Sequence, residues 1–126
     1  MKVYTVYLDT DKTKMNAEVI EIATANGEAL DREIHRILNA TGYDYFDYSD
    51  EIAILVDDQG FFKEGQPVFE IENAYGDVNK LAGKLLFVRN IENEYSVDIG
   101  SIIYEDIFKL RNEMNIQFVG FTRGVS

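Results

Sequence analysis

The sequence predicts an α+β domain, in which a mixed, largely antiparallel sheet of about five to seven strands packs with two main helices. Three observations support this prediction. Apolar residues alternate with a period of two in several short segments, as in strands. In residues 27–40 and 102–115 they recur every three or four positions, as in helices. A polar turn between the first two strand segments favours a hairpin.

The N-terminal third of the chain predicts that hairpin and then a helix. Residues 2–8 (KVYTVYL) and 17–23 (AEVIEIA) alternate as strands around the polar stretch 9–16. The period then changes to that of a helix, for which Asn26 is the predicted N-cap and Gly42 lies beyond the end. The residues at helical spacing are Leu30, Ile34, Ile37 and Leu38.

The middle of the chain predicts two buried strands separated by a loop region. Residues 51–57 (EIAILVD) form a central strand that ends in a DDQG turn. Residues 63–80 contain the sole proline and a turn-rich stretch, so we expect a loop with one edge strand there. Residues 83–91 (GKLLFVRNI) are apolar enough for a strand that is covered on both faces.

The C-terminal part predicts a helix and a closing strand. Ser101 is the predicted N-cap of the helix, and Glu105 and Asp106 suit the positive end of the helix dipole. Residues 116–122 (IQFVGFT) then form a strand. The inward side of the helix is predicted to carry Ile103, Ile107, Leu110 and Met114.

Length and composition bound the type of protein. The 126 residues fit one domain, residues 1–126. Cysteine is absent, which excludes disulfides, thiolate nucleophiles and Cys-ligated zinc. There is no apolar run of signal-peptide or membrane-spanning type, so we expect a cytoplasmic protein. Twenty-three acidic against twelve basic residues give a net charge of −11, which opposes direct contact with nucleic acid or anionic membranes and favours basic partners.

Catalytic patterns are nearly absent. The only histidine, His35, lies on a predicted exposed helix face without a nearby serine. The segment that begins at Asp9 resembles a calcium loop, but Lys14 and Ile20 stand where a glycine and a glutamate are needed. We therefore expect a protein that is not an enzyme and has no cofactor or metal. A pair of carboxylates that meets only in three dimensions stays an open alternative.

An acidic and aromatic segment, residues 41–51 (TGYDYFDYSDE), is the candidate binding surface. Residues two apart in a strand are roughly 6.6 Å apart, so carboxylates at that interval imitate the phosphates of nucleic acid. Strand parity sends Phe46 and Tyr48 inward and Tyr43, Tyr45 and Asp47 outward. The alternative is that these rings face the core and the acids only face water. The predicted partner-binding residues are Tyr43, Asp44, Tyr45, Asp47, Asp50, Glu51, Asp57 and Asp58.

The chain resembles a family of small domains of unknown function found in bacteriophages, plasmids and their bacterial hosts. The resemblance lies in residues 1–91: MKVYTVYL, the helix that ends in ATGY, EIAILVDDQG with the short loop after it, and LAGKLLFVR. It implies a mobile-element context and, if the chain is phage-encoded, the cytoplasm of a host cell. In that context small acidic proteins often inhibit host nucleases, CRISPR effectors or restriction enzymes by occupying their DNA-binding or RNA-binding sites.

We therefore expect an acidic inhibitor that binds the basic surface of a nucleic-acid-binding protein. Two alternatives remain open. The first is a protein that binds or sequesters a small molecule such as a signalling nucleotide, and the second is a generic protein-protein adaptor. The small-molecule alternative requires Lys84, Arg89, Arg111 and Arg123 to converge. An uncovered strand edge also makes a homodimer an option.

Overall fold

A computed structural model describes residues 1–9, 11, 14–24, 27–92 and 97–123. Within these residues no helix is long and apolar enough to cross a membrane. The elements, in chain order, are β1 (Lys2–Asp9), β2 (Lys14–Glu21), α1 (Gly27–Leu38), β3 (Tyr43–Asp47), β4 (Ile52–Asp57), a short 3-10 turn (Gly60–Phe62), β5 (Glu64–Glu72), β6 (Val78–Ala82), β7 (Leu85–Glu92), β8 (Val97–Gly100), α2 (Tyr104–Glu113) and β9 (Asn115–Arg123).

The strands form two sheets. In the large sheet the order is β2-β1-β7-β4-β3, and β8 continues beside β1 along the same edge of β7. The small sheet has the order β6-β5-β9. Every described pairing is antiparallel. The described residues are thus rich in sheet, with two helices and two antiparallel sheets, which fits the predicted α+β class with a strong bias towards β. The two helices and the antiparallel pairing agree with the prediction, whereas the strands divide into two sheets and not into the single, partly mixed sheet that was expected.

The large sheet lies between two apolar layers. α1 covers one face, where Leu30 and Ile34 pack with Leu55 and Leu86. The small sheet and α2 cover the other face, where Phe69 and Leu110 join residues such as Phe87. The two central strands, β4 and β7, are buried on both faces, which explains why their sequences are continuous apolar runs.

The second sheet arises from the region that the sequence assigned to a loop and one edge strand. β5 and β6 form a hairpin in which Val68 pairs with Ala82 and Glu72 with Val78. The prediction failed because Gly65 and Pro67 are typical of loops, whereas here Pro67 lies at an irregularity in the register with β9. β8 lies in a segment for which the sequence predicted no element. β2 begins at Lys14, earlier than predicted, because Lys14 already pairs with Asp9.

The N-terminus of α2 differs from the prediction. Ser101 is not the cap, because its Oγ accepts a hydrogen bond from Lys2 N at 2.9 Å. The buried Asp106 carboxylate instead accepts one from the backbone N–H of Ile103 at 3.1 Å, so Asp106 satisfies the start of the helix from within. Ile103 is exposed rather than inward, while Leu110 is buried as predicted. The predicted cap of α1, Asn26, lies outside the described residues.

Candidate acidic binding groove

A recess of about 620 Å³ lies where two turns and the end of α2 meet. The first turn joins β3 to β4, the second joins β5 to β6, and the last turn of α2 with the start of β9 completes the wall. We call this recess the acidic groove. Its lining residues are Tyr48, Ser49, Asp50, Glu51, Ile52, Glu72, Asn73, Ala74, Tyr75, Lys109, Glu113 and Asn115.

Each of the two turns is fixed by a side chain that bonds to its own backbone. Ser49 Oγ accepts hydrogen bonds from the backbone N–H groups of Glu51 and Ile52, at 3.2 and 3.1 Å. Asn73 Oδ1 accepts two others, from Tyr75 N at 3.0 Å and from Asp77 N at 2.9 Å. Short polar side chains of this kind favour tight turns. The groove therefore has a defined backbone on two sides.

Hydrogen bonds also join the two turns to each other. Ala74 N donates to Tyr48 O at 2.7 Å, and the Tyr75 hydroxyl donates to Asp50 Oδ1. These bonds link the large sheet to the small sheet at this end of the molecule. The position of Asp50 is thus set by a residue that lies 25 positions later in the chain.

The end of β5 and the last turn of α2 each contribute one more carboxylate, those of Glu72 and Glu113. Asn115 Nδ2 donates to Glu72 Oε2 at 3.2 Å, which holds Glu72 at the junction of β5 and β9. Burial raises the pKa of Tyr48, and the negative charge of Glu113 raises it further. Glu113 is therefore close enough to act electrostatically on the floor of the groove.

The charge in the groove is strongly unbalanced. Asp50, Glu51, Glu72 and Glu113 are exposed, and Lys109 is the only basic residue among the described lining residues. In the described part of the chain none of these five side chains forms a salt bridge. No three carboxylate or histidine side chains among the described residues are grouped closely enough to hold a metal ion. The groove thus presents negative charge to solvent without an ion pair among its described lining residues.

Three of the predicted binding residues, Tyr43, Asp57 and Asp58, lie at the end of β3 and β4 that is opposite the groove. Asp57 is buried, and its Oδ2 lies 2.5 Å from Lys63 Nζ while its Oδ1 accepts a bond from Gln59 N at 2.9 Å. Its burial removes it from the accessible surface. Asp58 is half-buried, with an enclosed Oδ1 that has no hydrogen-bond partner among the described groups.

Tyr43 is half-buried rather than outward-facing, because α1 covers it. Its hydroxyl donates to Asp31 at 2.6 Å, and its ring makes an edge contact with His35, with the ring centroids 5.5 Å apart. Burial, together with the hydrogen bond and charge of Asp31, raises the pKa of Tyr43 to about 12. This tyrosine fixes the edge strand to the helix.

The remaining predicted residues lie along the edge strand β3. Asp44 pairs with Val56 and Asp47 with Ala53, so the two carboxylates point to opposite faces of the sheet. β3 therefore offers no line of charge along one face, as phosphate imitation in a single strand requires. Tyr45 and Asp47 are exposed, as strand parity predicted. Tyr48 is buried and Phe46 packs against the core, also as predicted.

Of the eight predicted residues, only Asp50 and Glu51 line the groove. Sequence reasoning missed Glu72, Tyr75 and Glu113. The sequence signals for these residues were the turn-forming residues around Asn73 and the four-residue spacing of Lys109 and Glu113 on one helix face. Neither signal indicates that the two turns and the end of α2 lie next to one another.

The basic residues that a small anionic ligand requires do not converge. Arg89 Nη1 binds the buried Asp106 carboxylate at 2.7 and 2.9 Å. Lys84 lies over the ring of Tyr7, 5.3 Å from its centroid, and precedes Arg89 by five positions of extended chain, roughly 17 Å. Arg111 lies beside Met114 in a separate small pocket.

Comparison of the sequence with protein-family models and with curated proteins, and of the fold with solved structures, found no match. The physical character of the groove is therefore the basis for a functional proposal.

Proposed function

We propose that this chain is a non-enzymatic protein-binding protein whose acidic groove receives a basic segment from the nucleic-acid-binding surface of a partner. Occupation of that surface excludes DNA or RNA, so the chain acts as an inhibitor. One observation carries the proposal: four carboxylates line one recess without an internal ion pair. The buried carboxylates of Asp57 and Asp106 are each bonded to a cationic side chain, whereas those of the groove are left for an external one.

The size and lining of the groove favour an arginine side chain as the group that enters. A volume of about 620 Å³ admits a few side chains rather than a folded domain. The guanidinium is planar and binds two carboxylate oxygens at once, so it suits a site with several carboxylates. The half-exposed ring of Tyr75 supplies an aromatic surface for a cation. Arginine-rich surfaces are in turn typical of proteins that bind phosphates.

The resemblance to phage and plasmid domains favours a host defence protein as the partner, namely a nuclease, a restriction enzyme or a CRISPR effector. The high negative charge of the whole chain supports this choice, because a net charge of −11 accelerates encounter with a basic surface. A generic adaptor is the alternative that the same groove accommodates. It differs in that its binding does not compete with nucleic acid.

Two matched variants test the groove. The groove variant carries Glu51→Gln, Glu72→Gln and Glu113→Gln. The control variant carries Glu18→Gln, Glu28→Gln and Glu105→Gln, which lie on exposed positions outside the groove. Both variants change the net charge by the same amount. Binding to purified basic DNA-binding proteins is measured by calorimetry at low and high salt, with and without duplex DNA.

We expect the control variant to bind like the native chain and the groove variant to bind at least about tenfold more weakly, since several charge contacts are lost. Affinity should fall steeply with salt, and DNA should displace the chain. Equal weakening in both variants would show that only net charge matters and would refute the groove. Binding that persists alongside DNA would favour the adaptor.

A further inference from the structure

The strands at the edges of the two sheets differ in how they are protected. Exposed strand edges pair readily with other strands, and proteins normally prevent this with charged side chains or proline on the edge. Among the described edge strands, all except β9 carry a charge between their first and last residues. Those internal charges are Glu18 in β2, Asp44 in β3, Lys80 in β6 and Asp98 in β8.

β9 has no charge and no proline between its first and last residues. Its uncharged part is residues 115–122 (NIQFVGFT), and Arg123 stands at the very end. One edge of β9 pairs with β5, and the other edge has no strand beside it in the described part of the chain. Val119 and Phe121 are 44% and 48% exposed. The register with β5 has two irregularities, one before Pro67 and one at Val119, and neither adds a charge to the open edge.

Further apolar surface lies near the C-terminal end of β9. The 3-10 turn packs against β9, and Thr122 Oγ1 donates to the backbone carbonyl of Lys63 directly after that turn, on the side of β9 that pairs with β5. Phe61 and Phe62 in the turn are 50% and 60% exposed. Exposed aromatic surface therefore lies in the same small sheet as the open edge of β9, as is common near interaction sites.

We propose that β9 pairs antiparallel with β9 of a second copy, so that the two small sheets become one continuous sheet about a two-fold axis. The register that overlaps all of β9 places Val119 opposite its own counterpart and Arg123 opposite Asn115 of the copy. Asn115 is bonded to Glu72, and Glu113 lies two residues before it. At each end of the paired strands, the Arg123 guanidinium of one copy thus lies near Glu72 and Glu113 of the other copy. The middle of the interface contains no charge.

A second copy suits this edge better than an unrelated strand. The single charge of β9 lies at one end and the acids lie at the other, so the segment is complementary to itself in antiparallel orientation. Pairing through an uncharged strand also keeps the other charges of two chains of −11 out of the interface. Because each acidic groove adjoins Asn115, the dimer presents two grooves at the ends of the paired strands, roughly 27 Å apart.

The dependence of binding on salt concentration distinguishes the dimer proposal from the groove proposal. Overall repulsion between two acidic copies is screened as salt rises, so dimerisation should strengthen. Binding of a basic partner in the groove should weaken over the same range. The dimer shares Glu72 and Glu113 with the groove only at the two ends of the paired strands, and strand pairing needs no basic partner, so either proposal can fail alone.

Sedimentation measured over a wide concentration range tests the dimer with the native chain and two variants. Val119→Lys places two lysines opposite each other at the centre of the interface. Val19→Lys is the matched control, because Val19 is a similarly exposed valine on the edge strand β2. We expect a native dimer, an unchanged control, and at least about a tenfold weaker dimer for Val119→Lys. A native chain that stays monomeric, or a dimer that Val119→Lys leaves intact, would overturn the proposal.

A second measurement holds even if Val119→Lys does not fold. The chain has no cysteine, so a single introduced cysteine reports only on its own neighbourhood. Residues directly opposite in antiparallel strands have Cα atoms about 4.5–5.5 Å apart, which is within the range that a disulfide spans. Val119→Cys should therefore cross-link into a dimer under mild oxidation, and Val19→Cys should not. Equal cross-linking of the two variants would contradict the pairing.

Discussion

At the end of β4, Asp57 is buried and bonded to Lys63, whereas just before its start Asp50 and Glu51 are exposed and make no salt bridge within the described residues. Both sites are turns with paired acidic residues, and only five strand positions separate them. At one end the charge of Asp57 is neutralised inside the fold by Lys63. At the other end, further carboxylates from β5 and α2 add to it.

Carboxylates of the same type therefore have different roles at the two ends of β4. A carboxylate that is buried requires a cation and hydrogen bonds, since an unpaired buried charge is strongly destabilising. Exposed carboxylates that converge repel one another, and this repulsion is relieved when an external cation binds. We therefore expect the neutralised carboxylates to matter for stability and those of the groove to matter for binding. The predictions below challenge this division, in order of decreasing effect.

Loss of the cation beside the most deeply buried carboxylate should have the largest effect. Arg89→Met leaves Asp106 buried without its guanidinium, and we expect a loss of about 3 kcal/mol in the free energy of unfolding. Chemical denaturation measures this loss. The control is Arg111→Met in the same layer, where no ion pair is present among the described residues, and a change within about 0.5 kcal/mol is expected. Similar losses in both variants would contradict the account.

The two lysines at the opposite ends of β4 provide the sharpest contrast. Lys63→Met should lower the free energy of unfolding by about 2 kcal/mol. This loss is smaller than that expected for Arg89→Met because Lys63 is partly exposed. Lys109→Met should change it by no more than about 0.5 kcal/mol. Because it removes the only cation of the groove, Lys109→Met should also tighten binding of an oligo-arginine peptide. A large stability loss for Lys109→Met, or weaker peptide binding by this variant, would contradict the different roles assigned to the two lysines.

The free energy of unfolding should depend on alkaline pH because of Tyr43, the first residue of β3. Its pKa is raised from 10.0 to about 12, so between these values the unfolded chain releases a proton that the folded chain retains. Stability from this group is complete below pH 10 and falls as pH rises towards 12. Denaturation curves should therefore show a steeper alkaline loss for the native chain than for Tyr43→Phe. Parallel curves would show that Tyr43 titrates normally.

A smaller effect is expected from the hydrogen bond that joins the two turns of the groove. Tyr75→Phe removes the bond to Asp50, and because both side chains are exposed we expect a loss of about 0.5 kcal/mol in unfolding free energy. Thermal denaturation of this variant beside Tyr104→Phe, an exposed tyrosine on α2, provides the comparison. No difference between the two would mean that this bond does not fix the groove.

The sequence predicted the parts of the fold whose signal is local. Both helices followed from apolar spacing, and β4 and β7 followed from continuous apolar runs. The small sheet was missed because β5 contains Gly65 and Pro67, and because its stability depends on pairing with β9, more than 40 residues away.

The same limit applies to the groove. Asp50 and Glu51 were predicted because they belong to one acidic segment, whereas Glu72 and Glu113 join them only through the packing of distant turns. Asp57 was misplaced for a related reason. Its partner Lys63 follows a 3-10 turn, and nothing in the spacing of the two residues indicates that the chain folds back between them.

The most direct test of the central claim is a nuclear magnetic resonance titration of the native chain with an oligo-arginine peptide. If the four carboxylates form one site, the amide shifts should change together and to saturation at residues 48–51, 72–75 and 109–115. They should stay unchanged around Asp57 and Lys63, where the carboxylate is already neutralised. Weak, unsaturated changes spread over all acidic positions, or changes centred on Asp44 and Asp47, would contradict the claim.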